Sequence, residues 1–119
     1  MVIKDVVSLL DAEVLSGHEQ LEKEVTNAFA ADLMSDVLAF VDEKTLLLTG
    51  LTNPHTIRTA EMMDIHCIVF VRGKKPDEVT LKLAAENDIV TMTTPKIMFV
   101  ASGILYSSGL RGAKIIHKK

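Results

Sequence analysis

Between Thr45 and Tyr106, three short segments that are apolar on both faces alternate with three helical segments, each of which follows a proline. Thr45-Leu46-Leu47-Leu48-Thr49, Cys67-Ile68-Val69-Phe70-Val71 and Ile89-Val90-Thr91-Met92 read as strands. None shows the polar–apolar alternation of a strand with one wet face, so both faces must be covered. Helices are expected over about Pro54 to Asp64, Pro76 to Asn87 and Pro95 to Tyr106. Strands of this kind separated by helices imply parallel pairing, with right-handed crossovers that lay the helices against the sheet. The expected fold is α/β, a three-layer domain around a mostly parallel sheet.

The first forty residues are less regular. Ile3, Val6, Val7 and Leu10 follow the spacing of one helix face, and Glu13-Val14-Leu15 reads as a short strand closed by Ser16-Gly17. Leu21 and Val25 flank a charged turn ahead of the apolar run Ala28-Phe29-Ala30. Ser35 is placed to cap a short helix over Asp36 to Phe40. With no linker or repeat, residues 1–110 form one domain, and 111–119 are expected to be a solvated basic tail carrying Arg111, Lys114, His117, Lys118 and Lys119.

A chain of 119 residues with 48% apolar side chains buries enough surface to fold without a metal or a disulfide. Its net charge of −3 lacks the strong basic excess of a nucleic-acid binder. Cys67 is the only cysteine and lies inside an apolar run, so it reads as a buried core thiol. The apolar stretch from Ile97 to Leu105 is far shorter than the ~20 residues that span a bilayer. The N-terminus has no signal-peptide pattern, and a cytoplasmic location without membrane contact is expected.

The prolines point to a site. Asn53-Pro54, Lys75-Pro76 and Thr94-Pro95 are each expected to follow a strand and open a helix, with proline at the first helical position and Asn53 and Thr94 as caps. In a parallel sheet these turns share the carboxyl edge, where ligands of open α/β sheets bind. Helix N-termini at that edge favour anions. The candidate ligand-binding residues are Thr49, Gly50, Thr52, Asn53, His55, Arg72, Gly73, Lys74, Thr93 and Thr94. Arg58, Lys75 and Lys96 add positive charge nearby.

No phosphate loop or dinucleotide fingerprint is present. The four histidines share no metal-ligand spacing with Cys67, and no nucleophile–base set is suggested, so no cofactor and no catalytic residue is assigned. Asp32 and Asp36 are read as helix-start carboxylates. The last helix is apolar almost all round, which calls for cover beyond its own sheet. A homodimer contact through Ile97, Met98, Ala101, Ile104 and Leu105 is expected.

The order of Ala12-Glu13-Val14-Leu15-Ser16-Gly17, Leu21-Glu22-Lys23-Glu24-Val25, Asp32-Leu33-Met34-Ser35-Asp36-Val37-Leu38 and Thr45-Leu46-Leu47-Leu48-Thr49-Gly50 resembles the DRTGG domain family, over about residues 8 to 106. The resemblance implies a Rossmann-like module with a regulatory role. Related domains accompany CBS pairs in pyrophosphatases that respond to adenine nucleotides, occur in some phosphate acetyltransferases, and form the N-terminal part of the HPr kinase/phosphorylase. They pair with copies of themselves, and catalysis lies in other domains. Thr52-Asn53 stands where the family has Asp-Arg, and Val71-Arg72-Gly73 where it has Thr-Gly-Gly, so Gly50 and Gly73 are the positions carried over. The expected function is a non-catalytic, self-associating sensor of a small phosphorylated or nucleotide ligand. The alternative is a protein–protein adaptor without a small ligand.

Overall fold

The alternating pattern builds a sheet covered by helices on both faces, a Rossmann-like three-layer arrangement. A computed structural model describes residues 1–37 and 43–114. The order of elements is α1 (Ile3–Leu10), β1 (Glu13–Ser16), β2 (Asn27–Ala30), α2 (Met34–Val37), β3 (Thr45–Thr49), α3 (Pro54–Met62), β4 (Cys67–Phe70), α4 (Glu78–Glu86), β5 (Val90–Thr93), α5 (Met98–Ser107) and β6 (Arg111–Gly112). Among the described residues the sheet has six strands in the order β1-β5-β4-β3-β2-β6. β1 runs antiparallel to β5, and the other pairs are parallel.

Because successive side chains of a strand point to opposite faces, each apolar strand feeds two cores. Leu46, Leu48, Cys67, Val69, Val90 and Met92 pack with Ile3, Val6 and Leu10 of α1 and with Ala101 and Leu105 of α5. Leu47, Ile68 and Phe70 pack on the other face with Val37, Ile57, Ala60 and Ala84, from α2, α3 and α4. The β3–β4–β5 block therefore carries no polar face, as a sheet sandwiched between helix layers requires.

Several local expectations need correction. Only Pro54 occupies the first turn of its helix, with the Asn53 side chain accepting the Thr56 N–H at 3.2 Å. Pro76 precedes the cap residue Asp77, whose carboxylate accepts the Thr80 N–H at 2.8 Å. That bond holds the Asp77 carboxyl below its ordinary range. Pro95 lies ahead of Ile97, which caps α5 without a side-chain bond. Thr94 is no cap: it is buried, and its hydroxyl donates to the Leu10 carbonyl at 2.6 Å. Ser35 lies inside α2 rather than before it, and the expected extension of that helix to Phe40 falls outside the described residues.

The assumed tail also begins differently. Arg111 and Gly112 pair in parallel with β2, and the Ala113 N–H donates to the Ala28 carbonyl at 2.9 Å. The Arg111 guanidinium lies 4.3 Å from the centre of the Tyr106 ring, a cation–π contact that ties β6 to α5. His117, Lys118 and Lys119 fall outside the described residues.

The orientation of α5 differs most from expectation. Ala101 and Leu105, assigned to a dimer contact, are buried in the domain's own core, and Met98 and Ile104 are half-buried against it. The outward residues are Ile97, Phe99, Val100 and Tyr106, with Phe99 84% exposed. Leu105→Ala is expected to destabilise the chain by about 2–5 kcal/mol through the cavity it opens. Phe99→Ala should lie within roughly 0.5 kcal/mol of the parent under conditions where the chain is monomeric. Urea unfolding checks both, and equal costs at the two positions would show that α5 is rotated from this placement.

Candidate functional site

Parallel pairing of β3, β4 and β5 brings the three turns that follow them to one edge. Thr49 ends β3 and Gly50 to His55 follow it, Arg72 to Lys74 follow β4, and Thr93 ends β5 with Thr94 next to it. The turns are bonded to each other: the Val71 N–H donates to the Thr49 carbonyl at 3.1 Å and the Gly73 N–H to the Thr94 carbonyl at 2.8 Å. All ten residues named from the sequence thus stand at the carboxyl edge.

Their chemistry is not uniform. Three of the four threonine hydroxyls are engaged inside the fold. Thr49 donates to Asp32 Oδ1 at 3.2 Å, Thr93 to the Lys74 carbonyl at 2.7 Å and Thr94 to the Leu10 carbonyl. Thr49, Thr93 and Thr94 are moreover buried, so they shape the edge rather than offer donors to a ligand. The Asn53 side chain is occupied as the α3 cap. His55, Arg72, Gly73 and Lys74 are exposed, and among the described residues Arg72 and Lys74 form no ion pair. Lys75 is neutralised by Glu13 at 3.1 Å, because the antiparallel β1 starts at this same edge.

The two glycines carried over from the family pattern have different reasons to be glycine. Gly73 has φ +68°, the left-handed region that disfavours side chains, and it follows Arg72 at φ 60°. Gly50 is not left-handed. What marks Gly50 is proximity: a Cβ there would lie 3.1 Å from Arg72 Nη2 and 3.4 Å from Asp32 Oδ1.

Asp32 is the residue that sequence reasoning missed. It is not bonded to its own helix start. Instead its Oδ1 accepts the Gly50 N–H at 2.7 Å, across from the end of β2 to the end of β3. Its position at the end of an apolar run, level with Gly50 in a parallel pair, was the signal available.

A cleft lies at the opposite edge, where β3 and β4 begin. It encloses about 510 Å³ and is lined by Lys23, Glu24, Lys44, Asp64, His66 and Cys67, among others. Within it Lys44 pairs with Glu24 at 3.4 Å, and His66 Nε2 lies 2.9 Å from Asp64 Oδ1. The Cys67 thiol is fully buried, and burial pushes its pKa up to about 12. Among the described residues no group of three or more His, Cys, Asp or Glu side chains is placed to hold a metal, and no helix is long and apolar enough to cross a membrane.

A family profile described as "DRTGG domain" matches residues 5–107. Among solved structures the chain is similar to one described as the CBS and DRTGG domains of the regulatory region of Clostridium perfringens pyrophosphatase, complexed with activator, diadenosine tetraphosphate. The TM-score is 0.71, with 20% identity over 90% of this chain. This chain spans 46% of that one, so the likeness speaks for the fold of the shared part. No curated protein matches the chain.

Thiolate is the reactive form of cysteine, so Cys67 is expected to resist Ellman's reagent at neutral pH and to react fully in denaturant. Rapid stoichiometric labelling of the native chain would contradict its burial.

Proposed function

The chain belongs to the DRTGG domain family, and we propose that it acts as a non-catalytic regulatory module of the cytoplasm. It senses a small phosphorylated or nucleotide ligand at the carboxyl edge of its sheet, and it self-associates through the outer face of α5. The observation that carries the ligand reading is the pair Arg72 and Lys74, two exposed cations at the end of β4 without ion-pair partners among the described residues. Unpaired guanidinium and ammonium groups at a helix-lined edge suit phosphate, and guanidinium suits it bidentately. The pyrophosphatase regulatory region of the same fold is complexed with a nucleotide activator, which supports the class of ligand.

Self-association is supported by α5. Ile97, Phe99, Val100 and Tyr106 form an exposed apolar surface on a helix with no charged residue from Ile97 to Ser108. Such patches mark interaction sites on small domains. The dimer contact proposed here is therefore the outward set, with Ile97 the member shared with the sequence reading. The same face favours a second reading, an adaptor that binds a partner protein and no small ligand.

Thermal unfolding in low salt with AMP, ADP and ATP separates the two. A ligand at 100 times its dissociation constant stabilises by ~2.7 kcal/mol, a shift of several degrees. Replacing Arg72 and Lys74 together with alanine should remove that shift while leaving the unliganded transition in place. No shift with any nucleotide in the parent chain would leave the adaptor reading. For association, light scattering is expected to give a dimer for the parent and a monomer of unchanged fold for Phe99→Asp. A parent that stays monomeric at high concentration would retire the α5 contact.

A further inference from the structure

Asp32, Gly50 and Arg72 stand at the ends of β2, β3 and β4, three adjacent parallel strands. Asp32 is held by two donors on Oδ1, the Gly50 N–H at 2.7 Å and the Thr49 hydroxyl at 3.2 Å. Its Oδ2 accepts no hydrogen bond among the described residues. A Cβ on Gly50 would lie 3.1 Å from Arg72 Nη2, 3.4 Å from Asp32 Oδ1 and 3.8 Å from Asp32 Oδ2. An acceptor and a donor of opposite charge thus border one spot over the Gly50 Cα. They form no ion pair with each other.

The geometry points to a seat that selects a ligand bearing a hydroxyl close to a phosphate, such as the sugar phosphate of a ribonucleotide, with the phosphate on Arg72 and the hydroxyl on Asp32. It rests on the carboxyl-edge reading above and adds a specificity determinant to it. A bare phosphate dianion at this seat gains the guanidinium but meets the Asp32 carboxylate, a like charge a few ångströms away. A polyol phosphate turns that neighbour into an advantage, because the carboxylate accepts its hydroxyl in a charge-assisted bond. Asp32 then acts by rejecting simple anions as much as by attracting the right one. Gly50 contributes by having no side chain between the two groups.

Titration calorimetry of the full chain with ribose 5-phosphate and with inorganic phosphate, at matched ionic strength, tests the seat. The parent should bind ribose 5-phosphate roughly tenfold more tightly, the worth of one hydrogen bond to a charged group. Asp32→Asn keeps an oxygen for the Gly50 N–H but removes the charge, so phosphate affinity should rise and the preference should fall below about threefold. Gly50→Ala needs no left-handed backbone, and its methyl meets chiefly the flexible Arg72 tip, so it should fold normally and lose ribose 5-phosphate binding. It decides the matter if Asp32→Asn fails to fold. An unchanged preference in Asp32→Asn, or parent-like binding by Gly50→Ala, overturns the seat while the carboxyl-edge reading stands. A parent that binds neither ligand overturns both.

Discussion

Four backbone hydrogen bonds lace the ends of β3, β4 and β5 into one rim, and the rest of the molecule is organised around it. The Thr94 N–H donates to the Phe70 carbonyl at 2.9 Å, Val71 to Thr49 at 3.1 Å, Gly73 to Thr94 at 2.8 Å and Arg72 to Lys96 at 2.9 Å. They continue the parallel ladder past the strands themselves and fix the turns as they leave the sheet. Arg72 sits in the left-handed region at φ 60°, which costs a non-glycine residue about 1 kcal/mol or more. The bonds on either side of it offset that cost. Without the common strand direction the exposed cations of one turn and the capped helix of the next would lie at opposite ends of the molecule.

The same rim joins the two surfaces to which function is assigned. Lys96, whose carbonyl holds the Arg72 turn, lies directly ahead of α5. The carboxyl edge and the apolar outer face of α5 therefore share one turn of chain. The inner face of α5 has a different task, since Ala101 and Leu105 complete the core shared with α1. The two faces of one helix divide the work between holding the fold and presenting a surface.

Much of this was legible in the residues. The strands around Leu47, Val69 and Val90 announce their two-sided burial by lacking any polar alternation, and Asn53-Pro54 identifies a helix start by its capping chemistry. Pro76 and Pro95 misled, because proline is as compatible with the extended residues before a cap as with the first turn itself. The facing of α5 was not legible: a helix apolar on every side carries no periodic signal of which side is inward. Asp32 escaped because its partner, Gly50, is distant in sequence and adjacent only once β2 and β3 pair. Thr93 and Thr94 read as free hydroxyls in the sequence, and only the folded positions of the Lys74 and Leu10 carbonyls show that they are engaged.

The ligand is proposed to meet the carboxyl edge, away from the cleft at the amino edge. Amide chemical-shift mapping of the isotope-labelled chain titrated with AMP tests it most directly. The largest saturable changes are expected at Gly50, Arg72, Gly73 and their neighbours. Changes concentrated at Thr45, His66 and Cys67 would move the ligand to the opposite edge and contradict it.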